Sequence, residues 1–316
     1  MRATTKGLLM AGMIGALAAG AALAQPPADV AARIAAIGRK VDPAATAAIY
    51  APLQKTMPQA GIKVQRDIAY GSGPKEQLDL FTPDGKASGK RPILIFVHGG
   101  GFVGGDKSKA GNGQPSPFYD NTMIWAVDHG LIGVNMNYEL APKAQYPAVQ
   151  REIAEVVAWA RKNAAAWGGD PDRIVVWGHS AGASHVGSFI AHPETYADIA
   201  GAKTPVRGAV MTSGGYEFAG PKDNVYYGPA ATLAERSSTA GLIKSKVPLL
   251  VAHAELDPPF MVADAEKLDA ALTKAGRPHD YLVAAKHGHM SESYSVGTAD
   301  ESVSGPVLAF VRKVTK

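Results

Sequence analysis

The sequence predicts an α/β fold: a mostly parallel sheet with helices on both faces. Three observations carry this. Short apolar runs recur along the chain, among them Ile93–Val97, Leu131–Asn137, Arg173–Trp177 and Val247–His253. Patterns of helical period separate them. The runs are apolar at nearly every position, as strands covered on both faces require, rather than at every second one.

The elements follow in order. Residues 25–60 are Ala-rich, with helices expected over Val30–Arg39 and Pro43–Lys55, packing over the site or the sheet edge. Val64–Tyr70 and Gln77–Thr82 alternate as strands around the turn signal Gly71-Ser72-Gly73-Pro74. After strand Ile93–Val97 comes a helix over Asn121–His129, stopped by Gly130, and then strand Leu131–Asn137. Val149–Ala166 sets Ile153, Val156, Val157, Ala160 and Ala164 on one helical face. Strand Arg173–Trp177, helix Ala183–Ala191 and strand Val206–Thr212 continue the alternation. Strand Val247–His253, helix Met261–Lys274, strand Asp280–Ala284 and a helix over Pro306–Val314 complete it. Only 214–245 breaks the pattern. It is rich in Gly, Ser and Tyr, longer than a connector needs, and reads as a small cap or pocket wall.

Composition narrows the function. The chain of 316 residues is long enough for one domain with a large core. It contains no cysteine, which excludes a disulfide and a thiol nucleophile. The formal charge is +4, and Arg2 and Lys6 supply two of those charges, so nothing points to nucleic acid or an anionic membrane surface. Arg2 and Lys6 precede a long run free of charge that closes on Ala22-Leu23-Ala24. This reads as a secretory signal over 1–24, with residues 25–316 a soluble periplasmic or secreted domain. The rival is a membrane anchor; the small residues and the cleavage pattern argue against it.

Two motifs carry chemistry. Gly178-His179-Ser180-Ala181-Gly182 follows an apolar strand and precedes a helix. A serine on such a strand-to-helix turn is exposed for attack, and the two glycines let strand and helix approach. The second is His98-Gly99-Gly100-Gly101-Phe102, again after an apolar strand. Its glycines can turn backbone N–H groups toward an oxyanion. Gly100, Gly101 and Ala181 are the expected donors, and His98 pins the loop. A nucleotide-binding loop is the rival reading, but neither a following Gly-Lys-Ser/Thr nor a Gly-x-Gly-x-x-Gly spacing is present.

A serine hydroxyl needs a base, and the base needs an orienting acid. Asp257 and Glu255 compete for the acid after Val247–His253. Pro258 and Pro259 fix the loop behind Asp257 and favour it. His287 and His289 compete for the base after Asp280–Ala284. His287-x-His289 without a carboxylate or cysteine cluster is a poor metal pair, so neither metal nor cofactor is expected. His129, His179, His185, His192, His253 and His279 read as surface, cap or packing residues.

The chain resembles the alpha/beta-hydrolase superfamily, nearest the carboxylesterases of the hormone-sensitive-lipase-like and feruloyl-esterase-like type. The resemblance rests on His98–Phe102, Asn137–Pro142, Asp170–Ile174, Gly178–Gly182, Asp257-Pro258 and Ala275-Gly276. It implies an eight-stranded, mostly parallel sheet and a catalytic triad of Ser180, Asp257 and His289. His179 and Ala183 stand where lipase-like members often carry Asp and Gly. The expected activity is hydrolysis of a small-molecule carboxylic ester through an acyl-enzyme. The alternatives are an arylformamidase-like amide hydrolase and an inactive binding protein on the same fold. Tyr216, Tyr226 and Tyr227 suggest a pocket wall that stacks on small or aromatic esters.

Overall fold

The computed structural model describes residues 25–85, 89–110, 113–200, 205–219 and 221–316. The leader expected over 1–24 lies outside the described residues. Eight strands form one sheet: β1 (Ile62–Ala69), β2 (Gln77–Pro83), β3 (Arg91–Val97), β4 (Ile132–Met136), β5 (Gly169–His179), β6 (Gly208–Thr212), β7 (Leu249–Ala254) and β8 (Asp280–Ala284). Their spatial order is β1-β2-β4-β3-β5-β6-β7-β8. β2 pairs antiparallel with both β1 and β4, and every other pairing is parallel.

The described helices are α1 (Ala28–Ile37), α2 (Pro43–Tyr50), α3 (Pro117–Asp128), α4 (Ala148–Asn163), α5 (Ala181–Ala191), α6 (Ala197–Ala200), α7 (Pro221–Tyr227), α8 (Ala230–Arg236), α9 (Thr239–Lys244), α10 (Pro259–Lys274), α11 (Ser291–Tyr294) and α12 (Ser304–Val314). None of them is long and apolar enough to cross a membrane.

Successive strand residues point to opposite faces, and the strands are apolar throughout because both faces are covered. On β3, Ile93, Ile95 and Val97 enter one core with Ile153, Val156 and Val157 of α4, and with Val186 and Phe189 of α5. Leu94 and Phe96 enter the other, with Ile124 and Trp125 of α3 and Val307 and Phe310 of α12. The N-terminal helices make a third, smaller core. Val30, Ile34, Ile49 and Tyr50 pack against Phe118, Met290 and Tyr294, so this segment sits beside the loop that follows β8.

Boundaries shift where local geometry outweighs pattern. α3 begins at Pro117 rather than Asn121, because proline is well placed in a first helical turn. β5 extends back to Gly169, which pairs with Arg91 across the sheet. The segment 214–245 forms three short helices, α7 to α9. Tyr216, Tyr226 and Tyr227 are fully buried in the main core, so their ring faces are packed against protein rather than offered to a ligand. Phe218 stacks on Tyr227 at 3.6 Å, and Phe102 on Tyr226 at 5.7 Å. This corrects the expectation of three stacking tyrosines. The aromatic rings anchor the segment to the glycine loop, and the hydroxyl of Tyr226 also binds Gln150 of α4.

Candidate active site

The site is built at the carboxyl ends of β3, β5, β6, β7 and β8. This is where an open parallel sheet presents its loops. Ser180 lies between β5 and α5 with φ 57 and ψ −125, a backbone region that L side chains rarely occupy. Close packing holds the turn. A Cβ on Gly178 would meet the carbonyl oxygen of Gly182 at 2.2 Å, and one on Gly182 would meet that of Val97 at 2.0 Å. The amide of Ser180 donates to Thr212, which ties the elbow to β6.

The side chains converge across long sequence separations. His289 Nε2 lies 2.8 Å from Ser180 Oγ, and His289 Nδ1 lies 2.8 Å from Asp257 Oδ1. Nδ1 carries the proton toward the carboxylate, leaving Nε2 free to accept from the serine hydroxyl. Asp257 is fully buried, and its second oxygen, Oδ2, accepts from Ser213 Oγ at 2.5 Å and from the Ala254 amide at 2.9 Å. Burial alone would raise the pKa of Asp257. The His289, Ser213 and Ala254 contacts more than offset this and hold it below the usual carboxylate range.

The competing candidates are drawn elsewhere. His287 Nε2 faces Ser302 at 2.8 Å and Asp300 at 3.1 Å, and Nδ1 faces Ser291 at 3.1 Å. Glu255 accepts from the Lys286 amide at 2.7 Å on an exposed loop. The single residue Gly288 separates two histidines that point into different buried networks.

The glycine loop after β3 faces the serine. A Cβ on Gly99 would lie 2.9 Å from Ser180 Cβ, so the two turns touch. Gly100 has φ 143 and would press a Cβ into the Gly104 carbonyl at 1.9 Å; Gly101 has φ 60. Ala181 opens α5, and its amide is among the first-turn donors that lack an intrahelical acceptor. The loop is braced from behind. His98 is fully buried, stacks on Tyr138 at 4.3 Å, and has Nδ1 2.7 Å from the Gly99 carbonyl. Burial pushes its pKa down to about 4, so it stays neutral. Tyr138 donates to the His98 carbonyl, the Ala141 amide donates to Phe102, and Asn137 accepts from the Lys107 amide. The Asn137–Pro142 segment is therefore the support of the glycine loop.

Near Ser180, Asp257 and His289 lie Ser213, Arg39 and Glu292, which carry no motif that would mark them in a sequence, and His179, at the variable position of the elbow. Ser213 binds Asp257, as described. The Arg39 guanidinium donates to the Asp257 backbone carbonyl at 2.9 Å, which links the N-terminal segment to the acid loop. His179 and Glu292 lie behind His289, both almost fully buried. Among the described residues no group of three or more His, Asp or Glu is arranged to hold a metal ion.

Comparison with known proteins agrees with this architecture. A thermostable esterase from Pseudomonas putida superposes with a TM-score of 0.65 over 94% of this chain and 99% of that one, at 18% identity. A fungal esterase from Rhizomucor miehei does so with a TM-score of 0.64 over 94% and 99%, at 23% identity. The BD-FAE family model matches residues 78–210. The chain carries the alpha/beta-hydrolase fold. In sequence it is similar to proteins named as esterases. Esterase LipQ of Mycobacterium tuberculosis is 33% identical to it over 64% of this chain and 48% of LipQ. Para-nitrobenzyl esterase of Bacillus subtilis is 29% identical over 46% of this chain and 30% of its own. The chain thus spans about half the length of LipQ.

Proposed function

We propose that the chain hydrolyses small-molecule carboxylic esters through an acyl-enzyme. The observation that carries the reading is the continuous line from Asp257 Oδ1 through His289 to Ser180 Oγ, each link 2.8 Å, facing the glycine loop. Ser180 attacks the ester carbonyl while His289 Nε2 takes its proton. Asp257 keeps the imidazole in the right tautomer and stabilises its cationic form. The amides of Gly100, Gly101 and Ala181 receive the tetrahedral oxyanion. His289 then protonates the departing alkoxide. A water enters, gives a proton to the same nitrogen and releases the acid. The chemistry needs no cofactor. Relatives named as esterases support the carbonyl–oxygen bond as the one cleaved.

The test compares the whole chain on a p-nitrophenyl ester and on an aryl formamide, with an organophosphonate probe to label the nucleophile. Ester turnover, with the probe on Ser180, is expected. Faster turnover of the formamide would move the reading to an amide hydrolase. A protein that turns over neither substrate and takes no probe would be a binding protein.

We further propose that residues 1–24 direct export and are removed, so that the mature chain begins at Gln25 in the periplasm or outside the cell. The charged start, apolar run and Ala22-Leu23-Ala24 support this. Mass spectrometry of periplasmic material tests it, and a full-length mass in the membrane fraction would overturn it.

A further inference from the structure

His179 immediately precedes the serine, yet its side chain reaches the loop that carries the base. His179 Nε2 donates to the backbone carbonyl of His289 at 2.9 Å. The carbonyl can only accept, so the proton of His179 resides on Nε2. The two imidazole rings lie 4.9 Å apart. Glu292, three residues beyond His289 on α11, brings Oε1 to 3.5 Å from the same Nε2. The Glu292 side chain is shut off from solvent.

We propose that His179 positions His289 from behind, through the main-chain carbonyl of His289. The inference rests on the ester-hydrolase reading, since it assigns His289 a position that matters only if His289 is the base. The triad fixes His289 by its ring, through Asp257. His179 fixes it by its main chain, through the carbonyl. Because His179 is joined to Ser180 by one peptide bond, the grip sets the spacing between nucleophile and base directly. Ser180 and His289 are 109 positions apart in sequence, so the covalent chain alone does little to register them. A base displaced by about 1 Å can lose on the order of 10²-fold in rate, so a second fixed point matters for turnover.

The electrostatics agree with the geometry. When Ser180 loses its proton, His289 becomes a cation, and a second cation beside it would oppose the step. Burial, with the nearby His289, pushes the His179 pKa down to about 3, so His179 stays neutral. Glu292 faces His179 at the end of β5, Asp257 after β7, and Tyr216 and Ser213 after β6. Burial and the Asp257 carboxylate push the Glu292 pKa well above the ordinary carboxyl value, against the pull of the Ser213 hydroxyl. A neutral His179 therefore holds the base without competing for its charge.

The experiment measures kcat and KM on p-nitrophenyl butyrate, and the rate of organophosphonate labelling at Ser180, for the whole chain. His179→Phe keeps a buried ring but loses the donor; His179→Gln restores a donor near the position of Nε2. We expect the Phe variant to lose on the order of 10²-fold in kcat and in labelling rate with KM within about threefold, and the Gln variant to recover most of that loss. Equal losses in both variants, or a Phe variant with the wild-type rate, would overturn the inference. If the Phe variant fails to fold, His179→Asn carries the same test, because its amide is too short to reach the carbonyl. Failure of the ester-hydrolase reading looks different. There the wild-type chain itself would neither turn over the ester nor take the probe, and both assignments would fall.

Discussion

Ser213 donates its hydroxyl hydrogen to Asp257 Oδ2 at 2.5 Å, on the side of the carboxylate away from His289. The buried acid is therefore saturated: the ring nitrogen holds one oxygen, and the Ser213 hydroxyl and the Ala254 amide hold the other. Removing a hydrogen bond to the charged form raises the Asp257 pKa toward its unfolded value. Because the folded value is depressed, Asp257 stabilises the protein above the unfolded pKa, and that contribution is lost as pH falls through the folded one. Ser213→Ala should cost roughly 1.5–3 kcal/mol at pH 7, and the gap to wild type should close in acid. Urea unfolding at pH 7 and through the acid range checks this; a gap constant with pH would show that the bond does not act on the carboxylate.

Ser180→Ala should retain the fold while kcat on a p-nitrophenyl ester falls by about 10⁴-fold or more. The Cβ that occupies the tight elbow remains, and only the hydroxyl facing His289 is lost. Wild-type turnover by this variant would remove Ser180 from the chemistry.

His287 and His289 should behave in opposite ways. His289→Ala should lose activity about as severely as Ser180→Ala, because triad members act as a unit. His287→Ala would leave Asp300 and Ser302 buried without their imidazole. Its penalty should appear as lost stability, roughly 3–5 kcal/mol for a broken buried pair, with kcat of the folded protein within about fivefold of wild type. Thermal unfolding and steady-state kinetics on the two variants decide this.

How much of the fold and site is legible in the sequence follows from which signals are local. Strands buried on both faces are written as apolar runs, so β3 to β7 stand out, and a nucleophile elbow confines its glycines and serine to five consecutive residues. The choice between His287 and His289 is not local. Gly288 lets the flanking side chains diverge, and the partners that separate them, Ser180 and Asp257 against Ser302 and Asp300, are fixed only by the fold. Ser213 and Glu292 carry no signature, and His179, although within the elbow motif, gives no local sign of its contact with His289. The tyrosines of 214–245 mislead because a Gly- and Ser-rich segment hides short helices with too few turns to show a period. Tyr226 and Tyr227 are buried against Phe102, and Tyr216 beside Gly187 of α5.

The contact between elbow and glycine strand also sets a steric limit. Gly182→Ala would place a Cβ 2.0 Å from the Val97 carbonyl oxygen, in backbone that cannot swing aside. A loss of more than about 4 kcal/mol is expected, with most of the protein insoluble or unfolded. Circular dichroism and soluble yield measure it. A well-folded variant of near-wild-type stability would mean that strand β3 and helix α5 lie further apart than described.

Glu292 offers the opposite pH signature to Asp257. Burial and the Asp257 carboxylate raise its pKa well above the ordinary value, so the folded protein keeps a proton that the unfolded chain releases above pH ~4.3. The folded state then binds more protons than the unfolded one, and stability falls as pH rises from that point toward the folded pKa. Glu292→Gln has nearly the same shape and nothing to ionise, so it escapes that fall. Wild type and variant should unfold at similar temperatures near pH ~4, with the variant gaining steadily toward neutral pH and above. Scanning calorimetry across that range measures the difference. A difference independent of pH would mean that Glu292 titrates normally, and a variant that loses ground as pH rises would mean that the carboxyl is charged and paired in the folded protein.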